Sequence, residues 1–275
     1  MPTLSTLNTA VRTSVNVYKY RHQIQNWWKR LEVWANEGDT NIAVMGRPAV
    51  GKSVLVADLH GEAKDYLWSL PDTSTDVESM AIELSEWTSL VRVIPGQSTA
   101  ERHKAIDEAF NQHKNLEGVI YVVDWGFTNV RNHVSRLSMI QDKGIDTVEK
   151  LRQHNLASEL VDFRDVCQKI AEAQAAGRSP KWLLVVVNKV DLFFDQVNEA
   201  LLYYHPESES AFAKTTQSLL QSVGSQKIKC DVVPICAWEV DFIWNTETIK
   251  TNIGGTENKR QLFRELLSVI AKLSK

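Results

Sequence analysis

The stretch NIAVMGRPAVGKS, residues 41–53, decides the fold of this chain. An apolar run leads directly into the pattern G-x-x-x-x-G-K-S. In a phosphate-binding loop of this pattern, backbone N–H groups turn inward around the phosphates, the lysine reaches the terminal phosphates and the serine hydroxyl binds magnesium. Residues 42–45 suit a strand, and residues 53–59 predict an amphipathic helix whose N-terminus faces the phosphates. The residues expected to contact the phosphates or magnesium are Gly46, Val50, Gly51, Lys52 and Ser53.

Composition narrows the class of protein. The chain has 275 residues and is 43% hydrophobic, which is enough for a substantial core. A net charge of -3 and a pI near 6.2 argue against the concentrated basic face that nucleic acid or an anionic membrane surface requires. The three cysteines are too few and too irregularly spaced for a disulfide framework or a zinc site. We therefore expect a cytoplasmic protein that has no transmembrane segment and binds no nucleic acid.

The first 39 residues predict an extension that precedes the nucleotide-binding domain. Ile24, Trp27, Leu31 and Trp34 recur at helical spacing, so residues 18–37 are predicted to form an amphipathic helix. Its aromatic stripe either packs on the domain or binds a partner or membrane, and nine tryptophans in the chain keep the second alternative open.

Strands and helices alternate after the phosphate loop. Residues 80–87 and 90–94 predict a hairpin around the turn Thr88-Ser89, and helical patterns follow at 98–115, 148–176 and 256–273. Apolar runs at 118–124, 181–187 and 229–235 predict buried strands. The pattern predicts an α/β domain over residues 40–275, with a helical insertion around 125–180. Its mostly parallel six-stranded sheet has one antiparallel strand, helices on both faces and ligands at the carboxyl ends of the strands.

The tetrapeptide NKVD, residues 188–191, follows one of these apolar runs. It matches N-K-x-D, and the order of the loops resembles a Ras- or Arf-like domain of the P-loop GTPase superfamily. The resemblance implies GTP and GDP as ligands. Asp191 would accept hydrogen bonds from guanine N1 and the exocyclic amine, Lys189 would cover the base and Asn188 would tie this loop to the phosphate loop. A site built around such an acceptor rejects a base that lacks the donors by on the order of 10⁴-fold.

The dipeptide Cys236-Ala237 resembles the fifth loop of that family, which is usually S-A. The resemblance implies that the backbone N–H of Ala237 meets guanine O6. Because this contact comes from the main chain, we expect cysteine in place of serine to be tolerated.

The segment IPGQ, residues 94–97, resembles the third loop, D-x-x-G-Q. The resemblance implies that Gly96 senses the γ-phosphate and that Gln97 orients the attacking water, so Gln97 and Lys52 are the candidate catalytic residues. Arg47 either helps to neutralise phosphate charge or faces solvent. We find no arginine-finger candidate in the chain, and such a residue, supplied by a partner, contributes roughly 10³ to 10⁵ in rate.

The expected magnesium site departs from the family in one residue. The aspartate of the third loop falls on Val93, and loss of such a supporting group typically costs about 10- to 100-fold in metal affinity or activity. The Mgl-type GTPases of bacterial gliding motility share this departure. Asp124 either replaces the missing carboxylate or caps a turn at Trp125-Gly126. Ser53 and Thr75 are the candidate magnesium ligands, with Thr73 as the alternative to Thr75.

Three functions are consistent with these residues. The first is a slow GTPase that acts as a molecular switch for an effector or activating protein. The second is a nucleotide-stabilised scaffold with little turnover, docked into a larger complex through the N-terminal helix or residues 125–180. The third is a P-loop ATPase or kinase in which Asp124 is the principal magnesium carboxylate and NKVD is accidental. Preference for GTP over ATP separates the third function from the others.

Overall fold

A computed structural model describes residues 41–60, 78–83, 88–93, 110, 116–224 and 226–274. The strands are β1 (Asn41–Met45), β2 (Glu78–Glu83), β3 (Thr88–Val93), β4 (Leu116–Val123), β5 (Trp182–Val187), β6 (Lys229–Pro234), β7 (Phe242–Trp244) and β8 (Glu247–Ile249). The helices are α1 (Lys52–His60), α2 (His133–Gln141), α3 (Val148–Ala175), α4 (Val197–Tyr204), α5 (Ala211–Val223) and α6 (Thr256–Leu273). The helix predicted at residues 18–37 lies outside the described residues. So does the one predicted at 98–115, apart from Phe110, which is helical and buried.

One six-stranded sheet in the order β2-β3-β1-β4-β5-β6 forms the centre of the domain. β1 pairs in parallel with β3 and β4, β4 with β5, and β5 with β6, whereas β2 is antiparallel to β3. Every residue of β4 and β5 is buried, as expected of parallel strands covered on both faces. The sheet therefore has the mixed, mostly parallel order that the sequence predicts.

The predicted hairpin exists, but its turn is displaced. Thr88 and Ser89 are the first residues of β3 and pair with Glu83 and Ile82 of β2, so the prediction that they form the turn is wrong. The two residues suit a strand as well as a turn, and cross-strand pairing decides between them. The connection falls at residues 84–87, outside the described part.

The helix after the phosphate loop differs from its predicted character. α1 buries the three consecutive residues Leu55, Val56 and Ala57. A one-sided helix buries residues three or four apart, so three in a row show that α1 is embedded rather than amphipathic. Among the described residues, no helix combines the length and apolar character that crossing a bilayer requires.

Residues 125–180 connect β4 to β5 and contain α2 and α3. Thr147 caps α3, because its side chain accepts a hydrogen bond from the backbone N–H of Lys150. Phe163 of α3 stacks on Phe212 of α5 with ring centroids 3.9 Å apart, and Tyr121 of β4 lies 4.9 Å from Phe163. α3 is therefore packed into the core on the sheet.

The hairpin formed by β7 and β8 was not predicted from the sequence. Asn245 turns the chain with φ +50°, and the apolar alternation of Phe242 and Trp244 before an asparagine was the available signal. Trp244 is buried, and its indole N–H donates to the carbonyl of Ile145 at 3.0 Å. The carboxylate of Glu247 accepts from the first N–H of α3 at 2.8 Å. The hairpin is thereby fixed to the start of α3.

Candidate nucleotide-binding site

The phosphate loop joins β1 to α1 in a conformation that its glycines permit. Gly46 has φ +141° and Gly51 has φ +95°, a region that side chains disfavour. A Cβ atom on Gly46 would lie 2.3 Å from the carbonyl oxygen of Val122, and one on Gly51 would lie 2.4 Å from Nδ2 of Asn188. Both glycines are therefore required by close approach as well as by backbone conformation.

Lys52 points into the curve of this loop. Its ammonium donates to the carbonyls of Gly46 at 3.0 Å and Arg47 at 2.8 Å, and the residue is 8% exposed. Ser53 follows in the first turn of α1 and is half-buried. The two residues lie where the motif requires a phosphate-binding ammonium and a magnesium-binding hydroxyl.

Among the described residues, the backbone of residues 49–51 makes hydrogen bonds through its carbonyl groups and not through its N–H groups. The carbonyls of Ala49 and Val50 accept side-chain hydrogen bonds from Lys189 and Asn188, both at 2.9 Å. In the described part of the chain, the N–H groups of residues 49–51 meet no acceptor. Three successive N–H groups of this kind fit an anion, so the loop suits the phosphates of a nucleotide together with a magnesium ion on Ser53.

Asn188 joins three segments at the carboxyl edge of the sheet. Its backbone N–H donates to the carbonyl of Val123 at 2.8 Å, and its Nδ2 donates to Val50. Its Oδ1 accepts from the backbone N–H of Ala237 at 3.1 Å. The phosphate loop, the NKVD loop and the fifth loop therefore meet at one side chain. The contact of Ala237 with guanine O6 stays a prediction, and it requires this N–H to be shared or released.

Lys189 adopts the left-handed conformation, with φ +61°, and its ammonium is anchored behind the phosphate loop. The ammonium donates to the Ala49 carbonyl, to the Phe127 carbonyl at 2.6 Å and to Oδ2 of Asp124 at 2.7 Å. Asp124 is fully buried, and its Oδ1 accepts from the hydroxyl of Thr128 at 2.7 Å. Because Asp124 is fully buried and pairs with the ammonium of Lys189, the structure favours a role in holding Lys189 over magnesium binding or a cap at Trp125-Gly126.

Asp191 is almost fully buried, and each of its carboxylate oxygens accepts one hydrogen bond from the protein. Oδ1 accepts from the thiol of Cys236 at 3.3 Å, and Oδ2 accepts from the hydroxyl of Thr251 at 2.8 Å. Burial, and then the neighbouring Asp191, raises the pKa of the Cys236 thiol well above its usual range, so the thiol stays protonated and can donate. Sequence reasoning missed Thr251, because no motif spacing relates it to NKVD.

Arg47 contacts α3 and does not face solvent. Its guanidinium donates to the backbone carbonyl of Asn155 at 3.0 Å and lies 3.6 Å from the carboxylate of Asp162, both on α3. The side chain is only 19% exposed. The prediction of a solvent-facing arginine is therefore wrong, because α3 lies close enough to the loop to bind the guanidinium. The phosphate-neutralising role stays a prediction.

Glu159 of α3 is a buried carboxyl group close to the site. Its Oε1 accepts from the hydroxyl of Tyr204 at 2.7 Å. Burial, and then the charge of Asp124, raises the pKa of Glu159 from 4.5 to about 8. Glu159 is therefore protonated at neutral pH.

The remaining predicted residues lie at or beyond the edge of the described part. Val93 pairs with Val44 of β1, which places the start of the third loop beside the strand that enters the phosphate loop. The candidates Thr73, Thr75, Gly96 and Gln97 lie outside the described residues. Among the described residues, no cluster of three or more His, Cys, Asp or Glu side chains could hold a metal ion.

A phosphate loop after one strand of a mostly parallel sheet, with an N-K-x-D loop bonded to it, defines a P-loop GTPase domain. Residues 41–189, more than half of the chain, match the family described as 50S ribosome-binding GTPase. The chain belongs to this family, whose members are GTP-binding and GTP-hydrolysing proteins.

No curated protein matches the chain. Three solved structures are similar to it in fold. A dimerization-deficient mutant of Toc33 from Arabidopsis thaliana is 14% identical with TM-score 0.43, covering 94% of this chain and 92% of that one. The Arl6 BBS3 small GTPase from Trypanosoma brucei, with bound GppNp, is 11% identical with TM-score 0.40, covering 86% and 99%. The mammalian SRP receptor is 14% identical with TM-score 0.40, covering 85% and 99%.

Proposed function

We propose that this protein is a cytoplasmic GTP-binding switch that hydrolyses GTP slowly and signals to a protein partner. One observation carries the proposal: Asn188 and Lys189 of the NKVD loop donate to the carbonyls of Val50 and Ala49 in the phosphate loop. These two hydrogen bonds put the loop that we propose for the base in direct contact with the phosphate loop, which supports the proposal that one nucleotide binds to both.

The reaction we propose is phosphoryl transfer from GTP to water. Lys52 and the N–H groups of residues 49–51 bind the phosphates, and Gln97 orients the attacking water. Magnesium, when bound at Ser53 and Thr75, neutralises charge on the phosphates. Because Val93 replaces the carboxylate that supports this ion in the related GTPases, we expect slow turnover. We also propose that the third loop is most similar to that of the Mgl-type GTPases, which share this departure.

The proposed partner is an effector that reads the nucleotide state, or an activating protein that supplies the missing arginine. The surfaces we propose for it are the helix predicted at residues 18–37 and the segment 125–180. The alternative is a scaffold that binds GTP and barely hydrolyses it. The family assignment goes against the third alternative, an ATPase.

Base recognition is tested by titrating fluorescent guanine, xanthine and adenine nucleotides into the wild type and Asp191→Asn. We expect the wild type to prefer guanine and Asp191→Asn to prefer xanthine, because the amide offers a donor where the carboxylate accepts. Equal affinity of the wild type for GTP and ATP would overturn the assignment of NKVD to the base.

Turnover is tested by measuring phosphate release by Gln97→Leu and by Gln221→Leu, a matched change at an exposed position of α5. The switch proposal expects Gln97→Leu to lose GTP hydrolysis and to keep GTP binding, while Gln221→Leu behaves as wild type. If Gln97→Leu hydrolyses GTP at the wild-type rate, Gln97 has no role in orienting water and the scaffold alternative gains support.

A further inference from the structure

The carboxylate of Asp191 is held by two donors from separate segments of the chain. Cys236, at the end of β6, donates to Oδ1, whereas Thr251, after β8, donates to Oδ2. The backbone is fixed as well, since the N–H of Asn252 donates to the carbonyl of Asp191 at 2.8 Å. Only Cys236 belongs to a loop that the family resemblance assigns to the nucleotide.

The hairpin β7–β8 sets the position of Thr251. The backbone N–H of Thr251 donates to Oδ1 of Asp241 at 3.0 Å, and Lys250 pairs with the other oxygen of the same carboxylate. The hairpin itself is anchored by the indole of Trp244 on the carbonyl of Ile145. The hydroxyl of Thr251 is therefore presented to Asp191 by a fixed element rather than by a free loop.

A carboxylate that accepts hydrogen bonds from two donors of one base must place both of its oxygens in the plane of that base. Each carboxylate oxygen has two lone-pair sites, so Oδ1 and Oδ2 can each accept one protein hydrogen bond and one N–H of guanine. Rotation about the Cβ–Cγ bond would bring only one oxygen into line with the two guanine donors. A hydroxyl bound to Oδ2 at 2.8 Å opposes that rotation, and hydrogen bonds to a charged acceptor are the stronger ones.

We propose that Thr251 is a positioning residue for base selection, which holds the Asp191 carboxylate in the plane that reads guanine N1–H and the exocyclic amine together. The inference rests on the proposed function, because it assigns Asp191 to the base. It adds a specificity determinant that lies outside the motif loops, in the connection that follows the β7–β8 hairpin.

The test compares GDP with inosine diphosphate, which lacks the exocyclic amine, on the full chain. For Thr251→Val we expect GDP affinity to fall about tenfold, because one hydrogen bond to a charged group is lost. We expect a smaller loss of affinity for inosine diphosphate, because this nucleotide makes only the N1–H contact with Asp191 and one carboxylate oxygen suffices for it. Thr251→Ser restores the wild-type ratio, and Thr248→Val, an exposed position on β8, leaves it unchanged.

Three results overturn the inference: a wild-type ratio in Thr251→Val, an equal loss for both nucleotides, or no recovery in Thr251→Ser. If Thr251→Val does not fold, Thr251→Ala against Thr251→Ser gives the same comparison, with the thermal unfolding of nucleotide-free protein as the check on folding. A wild type that binds ADP as tightly as GDP refutes the proposed function itself. A wild type that prefers GDP while Thr251→Val keeps the ratio refutes only the role of Thr251.

Discussion

Breaking the ion pair between Lys189 and Asp124 tests whether Asp124 serves to hold Lys189 in place. The ammonium lies 2.7 Å from Oδ2 of Asp124, which is fully buried, and the Lys189 side chain is 13% exposed. Asp124→Asn keeps the size of the side chain and removes the charge. The ammonium of Lys189 then keeps the carbonyls of Ala49 and Phe127 but loses its counter-ion.

The expected cost follows from burial. Removing one partner of a buried ion pair costs about 3–5 kcal/mol, because the other charge is left uncompensated. Lys189 keeps two carbonyl acceptors and some contact with water, so we expect the lower end, about 3 kcal/mol. Against a total stability of about 5–15 kcal/mol for a typical domain, this is a large share.

The assay is urea unfolding of nucleotide-free protein for Asp124→Asn, Lys189→Met and the double variant. We expect the double variant to lose less than the sum of the single losses, by at least about 1 kcal/mol, because the two residues are in contact. Asp146→Asn is the matched control, since its partner Lys150 lies at the same 2.7 Å but both side chains are half exposed. We expect little effect there, because water and salt screen an exposed pair.

Two results would refute this reasoning. One is additivity of Asp124→Asn and Lys189→Met, which would mean that the pair contributes nothing specific. The other is an unchanged stability of Asp124→Asn combined with GDP binding that needs far more magnesium than the wild type. That result would return Asp124 to the role of a magnesium-supporting carboxylate.

Three further predictions concern the glycine, the acid and the thiol near the site. Gly51→Ala should weaken GDP binding at least about tenfold, because its Cβ would lie 2.4 Å from the amide of Asn188. Gly144→Ala, also at positive φ but with open space around it, is the control, and equal behaviour of the two would contradict the steric argument. Between pH 4.5 and about 8, Glu159 keeps its proton in the folded state but has lost it in the unfolded chain. The free energy of unfolding therefore falls as pH rises through that window. The slope is at most about 1.4 kcal/mol per pH unit, and Glu159→Gln should lack it in urea unfolding at several pH values; a parallel pH profile would show that the acid ionises normally. Cys236→Ser should keep GDP affinity within about threefold of wild type, because a hydroxyl replaces the thiol as donor, and a larger loss in nucleotide titration would contradict this.

The sequence sufficed wherever a local pattern determines the structure. The phosphate loop could be predicted because its glycines and Lys52 belong to one continuous segment and determine the backbone conformation locally. The buried strands β4 and β5 follow from apolar runs that parallel sheets require. α6 matches its predicted range, Thr256–Leu273, because its apolar period is long and regular.

The sequence did not suffice where two distant segments compete or combine. Thr88 and Ser89 suit a turn or a strand, and the pairing with β2 decides. Thr251 and Asp191 meet only because the β7–β8 hairpin docks beside α3, and a short hairpin with a single buried face carries little periodicity. The contact of Arg47 with α3 could not be predicted for the same reason, because nothing near Arg47 in sequence indicates that α3 is its neighbour.

These distant contacts have a common physical consequence for the phosphate loop. On one side its carbonyls accept from Asn188 and Lys189, and on another its Arg47 binds α3. A loop whose own N–H groups must face an anion cannot satisfy them internally, so its shape has to be imposed by neighbours. The residues that impose it come from the NKVD loop and from α3, which also receives the β7–β8 hairpin at its first turn. A substitution at the α3 end of the Arg47 contact, such as Asp162→Asn, should therefore weaken nucleotide binding although it touches no ligand.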